Sequence, residues 1–156
     1  TTETGWTDSV GGMFEGVIEY DSTISPCFRG DISLAIPAGS TIDSERYHML
    51  SLGIVCNNPN RTSGSAVDMK IGWVDTDDGW HGWSGFLAGS NFAVGNGWDG
   101  YAAVGPVDLN AITGLEWGDE EVKELWLSLR CNDVIIDPPQ PIDVRIGWVR
   151  LEEAAP

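Results

Sequence analysis

Apolar and polar residues alternate with period two along most of this chain. From Asp143 to Leu151 the alternation sets Val144, Ile146 and Trp148 on one side and Asp143, Arg145 and Gly147 on the other. That is the pattern of a strand with one face buried and one in water. The octet Asp68 to Asp75 has the same parity and turns Met69, Ile71 and Trp73 inward. Nothing else recurs at that interval, so the pair is one packing solution used twice and not a repeat array. The pattern predicts further strands at 13–20, with Phe14, Ile18 and Tyr20 inward, and at 28–36, with Ile32, Leu34 and Ile36 inward. Others follow at 47–56 (Leu50, Leu52, Ile54 and Cys56 inward), 67–74, 91–94, 101–109 and 122–131 (Leu125, Leu127, Leu129 and Cys131 inward). Asp43 to Arg46 fits one helical turn, and Pro138-Pro139-Gln140-Pro141 blocks ladder pairing before the last strand. No helix is long enough to cover a sheet, so seven or eight strands must form two sheets that cover each other. The expected fold is an all-β, two-sheet antiparallel β-sandwich. Residues 1–12 read as a glycine-rich leader with Trp6 as its only anchor, 13–151 as one sandwich domain and 152–156 as a tail.

Composition agrees with one globular domain: 156 residues, 42% of them apolar, suffice for a real core. The net charge of -16 would repel a nucleic-acid backbone or an anionic membrane, and it favours neutral or cationic partners or plain solubility. No run approaches the roughly 18 apolar residues of a membrane span. No secretory signal is visible, and a start at Thr1 reads as a mature or excised piece. The three cysteines, Cys27, Cys56 and Cys131, form no C-x-x-C pair, which argues against a zinc site. Cys56 and Cys131 end strands and face inward; direct antiparallel pairing of those strands would hold them too far apart for a disulfide. Free buried thiols and a disulfide of an oxidising compartment both remain open. Asn60-Arg61-Thr62 fits a glycosylation sequon.

One ordered set of segments resembles a known family. It runs Tyr47-His48-Met49-Leu50-Ser51-Leu52, Ile71-Gly72-Trp73, Gly97-Trp98-Asp99-Gly100-Tyr101 with Val107-Asp108-Leu109, Leu125-Trp126-Leu127-Ser128-Leu129, and Ile146-Gly147-Trp148-Val149-Arg150-Leu151. The set resembles galactose-binding-like jelly rolls, the fold of many carbohydrate-binding modules in secreted polysaccharide-degrading enzymes. The resemblance spans residues 14 to 151 and rests on pattern, without a signature motif. It implies a jelly roll, a poly- or oligosaccharide partner, a secreted or extracellular location, and attachment to a larger multidomain enzyme. Modules of this kind often end in Ile-Asp-Trp-Ile-Arg-Leu, whose Asp can ligate a structural calcium. Here Gly147 stands at that place and supplies no carboxylate. Glu15, Glu19, Asp21 and Asp31 offer other oxygens, at spacings that demand no metal.

The richest stretch for chemistry is the loop from Asp75 to Trp83. Asp75-Thr76-Asp77-Asp78-Gly79 starts like a calcium loop, making Asp75, Asp77 and Asp78 candidate ligands and calcium the one cofactor the pattern admits. A distal Glu in register is missing, and a solvated acidic turn is the alternative. Gly79-Trp80-His81-Gly82-Trp83 and Gly97-Trp98-Asp99-Gly100-Tyr101 share one spacing. Indoles in a glycine-rich loop are costly to leave in water unless something stacks on them. Sugar rings offer C–H faces for stacking, while flanking Asp77, Asp78, His81, Asn91 and Asn96 can hold hydroxyls. Trp98 and Tyr101 border a strand and serve equally as a plug. Trp126 shares its face with Glu124, Ser128 and Arg130, which makes it either a sugar platform or a residue covered by the leader. Trp73, Trp117 and Trp148 are assigned to packing and His48 to structure. No G-x-S-x-G, H-E-x-x-H or P-loop occurs, and 24 acids satisfy the carboxylate pair of a glycosidase by chance. The expectation is a non-catalytic carbohydrate-binding module that binds a neutral poly- or oligosaccharide by aromatic stacking. Its rivals are a self-associating subunit of a surface layer, sheath or filament and, more weakly, a lyase or hydrolase.

Overall fold

The computed structural model describes residues 14–34, 36–61, 66–83, 102–132 and 136–156. The expectations for residues 1–13, for the strand at 91–94 and for Asn91, Asn96, Trp98 and Tyr101 lie outside the described residues. Eight strands are described: β1 (Phe14–Ile18), β2 (Phe28–Leu34), β3 (Met49–Asn57), β4 (Asp68–Asp75), β5 (Trp80–His81), β6 (Ala102–Asp108), β7 (Val122–Cys131) and β8 (Ile142–Glu152). They form two four-stranded sheets, β1-β8-β3-β6 and β2-β7-β4-β5, with every pairing antiparallel. Each connection crosses from one sheet to the other except the β4–β5 hairpin. The order of the described strands is compatible with a jelly roll. The short strand β5 falls where a loop was expected.

The two inner faces make the core. Leu50, Leu52, Ile54 and Cys56 of β3 face Met69, Ile71 and Trp73 of β4 and Leu125, Leu127 and Leu129 of β7, all fully or almost fully buried. One end of the sandwich is closed by indoles whose N–H groups find backbone acceptors, as buried tryptophan requires. Trp73 Nε1 donates to Leu115 O at 2.8 Å and Trp117 Nε1 to Tyr47 O at 3.1 Å. The opposite end is closed by buried amides. Asn58 Nδ2 donates to Ala66 O, and Asn60 exchanges hydrogen bonds with the Gln140 backbone at 2.7 and 2.8 Å. Asn60 is fully buried, so its side chain is a structural clamp and not the sequon acceptor that the triplet suggests. Cys56 and Cys131 lie in strands of different sheets, not in paired ones, and no disulfide joins any of the three cysteines. Burial pushes the Cys56 thiol up to about 12.

Trp148 departs from the expected parity. Gly53 stands opposite Trp148, but Ile54 stands opposite Ile146, so Gly147 is an extra residue and forms a β-bulge. Ile142, Val144 and Ile146 face the core before the bulge, and Val149 and Leu151 face it afterwards. Trp148 is therefore turned to the outer face. Its indole lies on Gly53, where a Cβ would meet Nε1 at 2.3 Å, and the Arg150 guanidinium sits 5.3 Å from its ring. The twin octet in β4 keeps continuous register through Gly72, which is why Trp73 stays inside. Tyr20 also differs: it is 40% exposed and meets Phe28 edge-on at 5.5 Å.

Candidate functional site

The β4–β5 hairpin is built around Asp75. Its Oδ1 accepts from the backbone N–H groups of Asp77 (2.9 Å) and Gly79 (2.8 Å), and its own N–H donates to Gly79 O. Only glycine fits at 79, since a Cβ there would stand 2.3 Å from Asp75 Oδ2. Asp78 takes a left-handed conformation (φ 66°), which Asp tolerates better than most residues, and pairs with Lys123. Asp75 is thus a buried turn organiser, whereas Asp77 and Asp78 are exposed. Among the described residues no group of three or more His, Cys, Asp or Glu side chains is placed to hold a metal ion. The start of a calcium loop read from Asp75, Asp77 and Asp78 finds no assembled ligand set there.

The two residues of β5 then part company, as neighbours in a strand must. His81 points inward, opposite Trp73, with the two rings stacked at 3.9 Å and 10°. Its Nε2 meets Asp75 Oδ2 at 2.7 Å and its Nδ1 meets Glu116 Oε2 at 3.1 Å. Burial works against the imidazolium, but the hydrogen bonds and charges of Asp75 and Glu116 outweigh it and raise the pKa. His81 and the backbone donors of Gly79 and Asp77 in turn hold the Asp75 carboxyl below its ordinary value. His81 therefore braces the hairpin from within. It does not flank Trp80 on the same face, as its place in the sequence suggested.

Trp80 points outward and is 46% exposed. The tip of its ring rests on Gly72, where a Cβ would come within 2.5 Å of Cη2, and Trp83 approaches the same spot. The two indoles meet edge to face, with centroids 5.0 Å apart at 75°. Trp126 stands next to Gly72 in the β4–β7 register and on the same outer face; its Nε1 donates to Glu124 Oε2 at 2.9 Å. Gly72 is the gap that lets three tryptophans share one sheet face. Trp126 is half-buried. The alternative in which Trp6 and the leader cover it lies outside the described residues.

A polar cluster, unforeseen in the sequence, borders this aromatic strip. The guanidinium groups of Arg130 and Arg29 lie 5.4 and 5.9 Å from the Trp83 ring, within cation–π range. Arg29 donates through Nε and Nη2 to Asp31. Ser128, fully buried, donates to Asp31 Oδ1 at 2.6 Å and accepts from Arg130 Nε at 2.8 Å. Burial pushes the Asp31 carboxyl up, but the donors Arg29 and Ser128 and the charges of Arg29 and Arg130 win and lower it. Burial, together with the like charge of Arg29, lowers Arg130. The register that brings Arg29 opposite Arg130 is non-local. The one local signal was Gly72 itself, since glycine inside a strand marks a close approach by another group. The face can stack a flat apolar ring and offer charged donors beside it. Comparison of the chain with protein-family models, with curated proteins and with solved structures finds no match.

Proposed function

We propose that the chain is a non-catalytic carbohydrate-binding module of the galactose-binding-like kind, with its ligand on the outer face of the sheet β2-β7-β4-β5. The observation that carries this reading is Trp80: a large apolar ring 46% exposed, held over Gly72 and flanked on one face by Trp83 and Trp126. Isolated exposed apolar residues need no explanation, but three indoles on one sheet face are a patch of the kind that binds something. Stacking on Trp80 and Trp83 supplies most of the affinity, and Trp126 extends the platform. Glu124, which accepts from Trp126 Nε1, can contact hydroxyls at its margin, Asp77 and Asp78 are exposed acids of the hairpin that carries Trp80, and His81 acts only through that hairpin. The test is a glycan array on the wild type and on Trp80→Ala and Trp83→Ala. Binding should disappear in both variants without loss of thermal stability, and unchanged binding in both would end the site assignment.

A second reading, a self-associating structural subunit, has one observation in its favour. Val17 (52% exposed), Tyr20 and Ile24 (42%) cluster in sequence around β1, the strand at the edge of the first sheet. Sedimentation without sugar separates the two readings: large assemblies favour the subunit, a monomer that binds glycans favours the module.

A further inference from the structure

We infer that the ligand of this face is a glycan that carries carboxylate groups, such as a uronate polymer, and that Arg29 selects for it. The inference rests on the carbohydrate reading above and names the substrate class for it. The chain has only eight Lys and Arg residues against 24 acids. Three of the eight, Arg29, Lys70 and Arg130, stand on adjoining rows of this one face: Arg29 is opposite Arg130, and Lys70 is opposite Ser128. Among the described residues two carboxylates share that end, Asp31 and, opposite Arg130, Asp68. The face thus gathers cations in a molecule of net charge -16.

The hydrogen bonding is short of an acceptor. Asp31 alone bonds Arg29, directly, and also Ser128, which accepts from Arg130. Arg130 is 9% exposed, and its Nη2 is buried with no hydrogen-bond partner among the described residues. A buried charged donor without an acceptor is rare in folded proteins, and an anion is its strongest complement. The accessible member of the pair is Arg29, whose side chain is 36% exposed on the edge strand β2 and whose Nε and Nη2 are the atoms committed to Asp31. Both guanidinium groups adjoin the Trp83 ring. A pyranose stacked along the indoles brings a ring carboxylate to this cationic end, where it adds the negative charge that the Arg29–Asp31–Arg130 cluster lacks. The overall negative charge opposes such a ligand only at long range. Charges beyond about 10 Å are largely screened at ~0.1 M salt, and contact energetics then decide.

The experiment is calorimetric titration of the whole protein with oligogalacturonate, oligoglucuronate and oligomannuronate, each beside its carboxyl-reduced counterpart of the same linkage. At least one acid should bind about tenfold or more tightly than its reduced form, a gap of about 1.4 kcal/mol. Arg29→Gln should erase that gap without lowering the melting temperature, whereas Trp80→Ala should weaken acid and reduced forms alike. Equal binding of acid and reduced forms overturns this inference and leaves the carbohydrate reading standing. A preference that survives in Arg29→Gln overturns the role of Arg29. Failure of every acidic and neutral glycan to bind overturns both readings.

Discussion

Replacing Gly72 by alanine separates the aromatic platform from the core beneath it. The added Cβ would lie 2.5 Å from Trp80 Cη2, 2.7 Å from Trp80 Cζ2 and 3.2 Å from Trp83 Cε3. Carbon atoms rest at about 3.5–4.0 Å, so the tip of the Trp80 ring must retreat by roughly 1 Å. It has room to do so, because the ring is 46% exposed and hangs from a strand of two residues at the sheet edge. The retreat breaks the edge-to-face pair with Trp83, worth about 0.5–1.5 kcal/mol. Alanine recovers about 0.5–1 kcal/mol over glycine inside a strand. The net loss of stability should therefore stay within about 1 kcal/mol, or ~2–4 °C in Tm for a chain of this size. Glycan affinity should fall about tenfold or more, equivalent to about 1.4 kcal/mol, because the stacking surface is displaced. The assay pairs thermal melts and near-ultraviolet circular dichroism with a glycan titration of the same sample. Unaltered aromatic dichroism with unaltered affinity would refute the placement of the rings on Gly72. A loss above about 3 kcal/mol, beyond ordinary overpacking, would show that the rings are structural and not a platform.

The remaining predictions address the frame of the site. His81 has a raised pKa, so its contribution to stability is complete below its unfolded value of 6.5 and is lost as pH rises through the higher folded value. Asp75 is lowered, so its contribution is complete above its unfolded value of 3.8 and is lost as pH falls through the lower folded value. Chemical denaturation across pH should therefore show a plateau between about 4 and 6.5, with an alkaline decline that His81→Gln flattens; an identical decline in that variant would refute the brace. Asn58→Ala leaves Asn60 and Ala66 O without their buried partner and should cost about 1–3 kcal/mol in urea melts, with cost near zero contradicting the closed end. Under native conditions at pH 8 a thiol reagent should label half-buried Cys27 well before Cys56, whose thiol is buried and whose pKa is about 12; equal labelling rates would contradict that burial.

Strand parity made much of the fold readable. In β3, β4 and β7 every second residue is apolar over at least three positions, and a shift of one residue would expose the whole set. β8 obeyed the same rule only as far as Gly147, because the bulge there is set by register against β3, which no local pattern contains. β5 escaped notice because two residues carry no periodicity; cross-strand pairing to Trp73 and Val74 and the Asp75 turn define it. In the site, exposed Trp80 and half-buried Trp83 and Trp126 were accessible to reasoning about indoles on polar segments. His81 is close to Trp80 in sequence, but adjacent strand residues point to opposite sides, and it stacks on Trp73 instead. Asp75 caps its own turn, and a carboxylate in that role and one that binds calcium read alike in sequence. The Arg29–Asp31–Ser128–Arg130 cluster needs the β2–β7 register and was invisible without it.

Indole Nε1–H resonances report each tryptophan separately during titration with a bound glycan. Those of Trp80, Trp83 and Trp126, on the outer face of β2-β7-β4-β5, should shift with one common saturation curve. Those of Trp73 and Trp117, whose N–H groups are bonded inside to Leu115 O and Tyr47 O, should hold still, as should Trp148 on the other sheet. A shift confined to Trp148, or movement of Trp73 and Trp117 while the outer three stay fixed, would contradict the account.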